Sequence, residues 1–146
     1  MWEYFTVDEL KCRGTDECHM DEQFMIQLEV LRQEFNEPMI ISSGYRDLSY
    51  NHVINGAKNS PHLFGKAVDV VVSGKKAYRL IKLAIQHNFT GIGVSQRGPH
   101  EKRFIHLDTM GNSEIHPRPW IWSYKLLNAM YPLLSLLQRN QYLQGG

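Results

Sequence analysis

Two histidines and an aspartate carry the most chemistry in this chain. His62 and Asp69 lie in the run Ser60-Pro61-His62-Leu63-Phe64-Gly65-Lys66-Ala67-Val68-Asp69, and His106 follows in Phe104-Ile105-His106-Leu107-Asp108. Two imidazoles and one carboxylate can hold Zn2+ while leaving its fourth position open to water, the arrangement that catalytic zinc requires. Convergence of these three side chains predicts a hydrolase.

The elements around them must do the positioning. Asp69 falls inside Ala67-Val68-Asp69-Val70-Val71-Val72, otherwise apolar and β-rich, where a carboxylate is costly unless it is paired or bound to a metal. Strand alternation puts Ala67, Asp69 and Val71 on one face, and likewise His106 and Asp108 on theirs. Neighbouring strands can thus present Asp69 and His106 side by side, with His62 arriving from the preceding loop.

The rest of the chain reads as alternating helices and short strands. Asp21 to Phe35 has helical spacing, with Phe24, Leu28, Leu31 and Phe35 recurring and Asp21 as N-cap. Met39 to Ser42 is a short buried strand, and Leu48 to Ile54 a short helix. A second long helix runs from Gly74 or Lys75 to His87, with Ala77, Leu80, Ile81, Ala84 and Ile85 on one face. Gly91 to Val94 and Arg103 to Asp108 are two further strands, joined across a loop short enough for a hairpin. The fold class is α+β: a small, mostly antiparallel sheet with helices packed on it.

Bulk properties exclude several function classes. The chain has 146 residues, 42% hydrophobic and 21% charged, and a formal net charge of +1, which fits one globular domain. No Lys/Arg block exceeds two residues, so no basic stripe for nucleic acid is present. No stretch is suited to spanning a membrane, and Met1-Trp2-Glu3-Tyr4 lacks the character of a secretion signal. The expectation is a product made in the cytoplasm, with work elsewhere requiring another route of release. Cys12 and Cys18 read as a local structural pair, reduced in the cytosol and able to oxidise outside it. The leucine-rich tail, residues 125–146, reads as a helical segment kinked at Pro132 that covers the core or makes a homodimer contact, leaving residues 1–124 as the chemical domain.

Five segments in order make the pattern specific: Ser43-Gly44-Tyr45-Arg46, Asn55 to His62, Gly65-Lys66-Ala67-Val68-Asp69, Gly91-Ile92-Gly93 and Phe104 to Asp108. Together they resemble the zinc D-Ala-D-Ala carboxypeptidase and L-Ala-D-Glu endopeptidase family, which cuts peptidoglycan stem peptides and shares its metal site with hedgehog and lysostaphin-like relatives. The resemblance runs from about Phe5 to Tyr124 and implies that His62, Asp69 and His106 are zinc ligands. It places Arg46 near the substrate, where a guanidinium could stabilise an oxyanion or hold a carboxylate; a salt bridge with Asp47 or near Asp69 is the competing role. Ser60 could hydrogen-bond a ligand, line the pocket or cap the turn. Trp122, with Trp120 and Tyr124, could wall the substrate site or pack in the core.

The general base is open at this point. Many members place an acid three positions before the last histidine ligand, where this chain has Arg103. Glu101 and Asp108 are the two candidates, and Asp108 has the alternative of accepting the second ring N–H of a ligand histidine. The resemblance implies a zinc metallopeptidase of the cell wall, carboxypeptidase or endopeptidase, of the phage endolysin or virion type. The alternative is a zinc-stabilised binding module for cell wall or protein, without catalysis.

Overall fold

The computed structural model describes residues 1–124; the leucine-rich tail lies outside them. Four helices and five strands follow one another as α1 (Val7–Leu10), α2 (Glu22–Phe35), β1 (Ile40–Ser43), α3 (Leu48–Val53), β2 (Ala67–Val71), α4 (Gly74–Gln86), β3 (Gly91–Ser95), β4 (Phe104–Asp108) and β5 (Trp120–Ser123). The strands form one sheet in the order β1-β2-β4-β3-β5. All neighbouring pairs are antiparallel except β3 with β5, so the expected α+β class and mostly antiparallel sheet are what the chain forms.

Local chemistry accounts for the long helices. The Asp21 carboxylate accepts the Phe24 backbone N–H at 2.9 Å, and Asn36 closes α2 in the left-handed conformation at φ 53°. Phe24, Met25, Leu28, Leu31 and Phe35 form its buried face. In α4 the buried residues are Ala77, Leu80 and Ala84. Ile85 was expected on that face and is instead exposed. At 100° per residue it lies about 80° round the helix from Ala77, at the margin of the apolar stripe.

Alternation along the strands sorts the sheet into two faces. Ile41, Val68, Val70, Ile92, Ile105 and Leu107 point to the core, where they meet α2 and α4. The opposite face carries the polar residues. Two elements were not anticipated: α1, opened by a capping box between Thr6 and Glu9, and β5, Trp120-Ile121-Trp122-Ser123. As an edge strand β5 leaves Trp120 and Ile121 exposed, so no buried alternation marks it. Cys12 and Cys18 are both free thiols; Cys12 is buried and accepts the Asp47 backbone N–H at 3.5 Å.

Candidate metal centre

Register builds the site. Ser43 of β1 stands opposite Asp69 of β2, Asp69 opposite His106 of β4, His106 opposite Gly93 of β3, and Gly93 opposite Trp122 of β5. One row of residues therefore crosses all five strands on the face away from the core. A register slip of one residue in any strand would turn its member of the row into the core.

His62 reaches this row from a 3-10 turn, Pro61–Phe64, that precedes β2. Gly65 ends the turn at φ 65°, and a Cβ there would collide with the His19 carbonyl, so only glycine lets the chain double back into Asp69. Backbone contacts hold the turn against the segment after β1. The Arg46 N–H donates to the His62 carbonyl at 3.1 Å, and His62 Nδ1 donates to the Gly44 carbonyl at 2.7 Å.

The three donors meet around one point. His62 Nε2 lies 3.2 Å and His106 Nδ1 3.0 Å from the same oxygen, Asp69 Oδ1. One ligand atom from each of the three residues lies within 4.8 Å of the others, and all three residues are buried. The donor chemistry fits zinc, because the hydrogen bond to Gly44 leaves the lone pair of His62 on Nε2, facing the cluster. His106 is oriented the same way from behind, since its Nε2 lies 2.8 Å from Asp108 Oδ2.

Asp108 has no capacity left for proton transfer. Its Oδ1 accepts Arg118 Nε at 2.9 Å and the Met110 backbone N–H at 3.1 Å, while Oδ2 accepts Arg118 Nη2 at 2.8 Å and faces His106. A carboxylate offers about four acceptor sites, and all are taken at a residue with no exposure to solvent. Of the two roles open to Asp108 in the sequence, general base and orienting partner, the geometry matches the second. A Cβ at Gly91 would collide with this carboxylate, which explains the first glycine of Gly91-Ile92-Gly93.

Other candidates separate in the same way. Ser60 is fully buried, and its hydroxyl accepts the His62 backbone N–H at 3.3 Å; it caps the turn instead of lining a pocket. Arg46 donates to Ser43 Oγ at 3.0 Å and to Asn51 Oδ1 at 3.4 Å, and its Nη2 lies 3.5 Å from Asp69 Oδ2. Asp47 does not pair with it, because that carboxylate caps α3 at Tyr50. Glu101 sits in the short turn His100–Lys102, exposed and without a hydrogen bond or ion pair among the described residues. Trp122 places its ring 5.2 Å from that of His106, next to the row that carries the metal donors. Arg118 was not foreseen; its only signal in the sequence is an arginine between two prolines, Pro117-Arg118-Pro119.

Charge follows from this packing. Burial opposes ionisation of Asp69, yet the charges and hydrogen bonds of the two imidazoles hold its carboxyl well below the ordinary range. Burial keeps His62 below its usual value despite Asp69. For His106 burial is outweighed by the hydrogen bonds to Asp108 and Asp69, which raise it to about 9. A raised folded-state value means that the contribution to stability is complete below about 6.5, the unfolded histidine value, and is lost as pH climbs through the folded one. Protein stripped of metal by a chelator is therefore expected to lose urea resistance between roughly pH 6.5 and pH 9, as His106 gives up its proton. A flat midpoint over that window would show that the two carboxylates do not hold the imidazole charged.

Comparison with known proteins agrees with this geometry. The family model described as Peptidase M15 matches residues 3–108. The zinc D-Ala-D-Ala carboxypeptidase of Streptomyces albus G is 30% identical over 69 residues, which cover 47% of this chain and 27% of that protein. With the matched span taking in the whole His62, Asp69 and His106 cluster, the chain belongs to the peptidase M15 family.

Proposed function

We propose that this chain is a zinc metallopeptidase that hydrolyses peptide bonds in peptidoglycan stem peptides, as a D-Ala-D-Ala carboxypeptidase or an L-Ala-D-Glu endopeptidase. The observation that carries the reading is the convergence of His62 Nε2, Asp69 Oδ1 and His106 Nδ1, with each imidazole anchored through its other nitrogen. Family membership and the carboxypeptidase relative support the substrate class. Among the described residues no helix is long and apolar enough to cross a membrane. A substrate in the wall puts the work outside the cytoplasm, after release in phage lysis or on a virion.

Bound zinc supplies Lewis acidity toward the scissile carbonyl and the attacking water. The chain supplies the rest. Asp69, His62 and His106 hold the ion, and the Gly44 carbonyl and Asp108 keep the two rings in the correct tautomer. Arg46, anchored by Ser43 and Asn51, offers positive charge where the carbonyl oxygen becomes anionic. Glu101 is the remaining acidic candidate to take the proton from water and return it to the leaving amine.

Arg103, standing where an acid is common, gives the second reading its footing: a zinc-stabilised binding module. Its guanidinium donates to the Gly98 carbonyl at 3.0 Å within its own loop. Glu101→Gln distinguishes the two. The variant is expected to keep its zinc and lose roughly 10²–10⁴-fold in turnover of a defined stem peptide, the span that general acid–base catalysis covers, as followed by mass analysis of products. Unchanged turnover would remove Glu101 from the mechanism. Tight wall binding by a wild type that cuts nothing would favour the module.

A further inference from the structure

The row across the sheet ends on β5, beyond the span that the family model matches. Trp122 stands opposite Gly93, and Gly93 opposite the ligand His106. A Cβ placed on Gly93 would lie 2.7 Å from Tyr124 Oη and 2.8 Å from Trp122 Nε1. Without a side chain at Gly93, the Trp122 indole and the Tyr124 phenol close over its Cα with both polar atoms turned to the same place. The rings are held from both sides: Trp122 lies 5.2 Å from His106, and Tyr124 5.3 Å from Phe104.

Trp122 Nε1 is buried and, among the described residues, is the one buried side-chain polar atom without a hydrogen-bond partner. Native proteins satisfy such groups, and an exception calls for an explanation. An indole N–H only donates, so whatever completes it must be an acceptor. The neighbouring phenol oxygen is near enough to the indole N–H for its pKa to be drawn slightly downward by it, yet the pair falls short of hydrogen-bond geometry and Nε1 is left unpartnered. Burial, then the negative charge of Asp69, holds the Tyr124 phenol well above its ordinary value, so it keeps its proton and is a second donor. The Arg118 guanidinium, 5.2 Å over the Trp122 ring, adds positive charge to the same corner.

We propose that Trp122 Nε1–H and Tyr124 O–H form a two-donor cradle over Gly93 that grips one acceptor oxygen of the peptide substrate beside the metal. The oxygen is a terminal carboxylate or an internal carbonyl, and the assignment rests on the peptidase reading above. Both residues are substrate-binding groups, and neither touches the three metal ligands through a hydrogen bond.

The test uses the full zinc-loaded chain, Trp122→Phe and Tyr124→Phe variants, and the stem pentapeptide L-Ala-D-Glu-L-Lys-D-Ala-D-Ala with a free or an amidated C-terminus. Each variant is expected to retain zinc and to raise KM roughly tenfold, the factor expected for one lost hydrogen bond. The ¹⁵N–¹H indole resonance missing from Trp122→Phe should move when wild type is titrated with peptide. A variant effect confined to the free-acid peptide identifies the oxygen as the carboxylate; an equal effect on both identifies a carbonyl. KM and kcat within twofold of wild type in both variants, or an indole resonance that stays in place at saturating peptide, overturns the cradle. A wild type that cuts neither peptide sinks the peptidase reading instead. The indole titration then decides the cradle alone: movement supports it, and no movement at millimolar peptide ends it.

Discussion

Asp69→Ala is expected to abolish zinc retention and peptide cleavage together. Asp69 Oδ1 is the single oxygen that both ligand imidazoles face, at 3.2 and 3.0 Å, and Oδ2 lies 3.5 Å from Arg46. Its loss removes one of three donors and, among the described residues, the one carboxylate that touches both buried imidazoles as well as Arg46. The effect should exceed the ~10–100-fold that loss of an outer partner costs. Asp69→Asn is the informative companion, because it keeps the shape but offers zinc a neutral oxygen. Metal content of the purified variants and mass analysis of a digested stem peptide give the two readouts. Stoichiometric zinc in Asp69→Ala would show that the metal sits elsewhere.

Arg118→Leu is expected to produce the largest loss of stability from a residue that touches no ligand. The Arg118 side chain is 3% exposed and Asp108 0%, and they are joined by two hydrogen bonds at 2.9 and 2.8 Å. Removing one member of a buried pair leaves an uncompensated charge, at a cost of about 3–5 kcal/mol. Asp108 would then be held below its ordinary carboxylate range by fewer partners, burial already opposing its charge. Because the same carboxylate orients His106, zinc affinity should fall ~10–100-fold as well. Arg118→Lys restores the charge without the two-pronged geometry and should recover only part of each. Urea unfolding and competition with a zinc chelator measure the two effects. A stability loss below about 1 kcal/mol, the range of exposed pairs, would show that the pair is open to solvent.

How legible each feature was depended on the range of the forces behind it. The α2 cap at Asp21, the stripe from Phe24 to Phe35 and the alternation around Asp69 and His106 are local, set by backbone hydrogen bonding and side-chain period within a few residues. Those periods also put Asp69 and His106 each on a definite face, so the ligand set could be read from residue types and spacing. Alternation does not say which strands are neighbours or in what register. The row from Ser43 to Trp122 exists only because five strands pair in the order β1-β2-β4-β3-β5. Asp108 shows the difference most plainly. Its place two residues after His106 left it free to be base or orienter until Arg118, ten residues on in the chain, filled its remaining acceptor sites. The amino-acid sequence alone therefore determined which side chains could bind a metal and which surfaces they occupy. Tertiary structure decided which polar groups are already satisfied and which still await a partner, because burial and hydrogen-bond saturation are properties of neighbours distant in the chain.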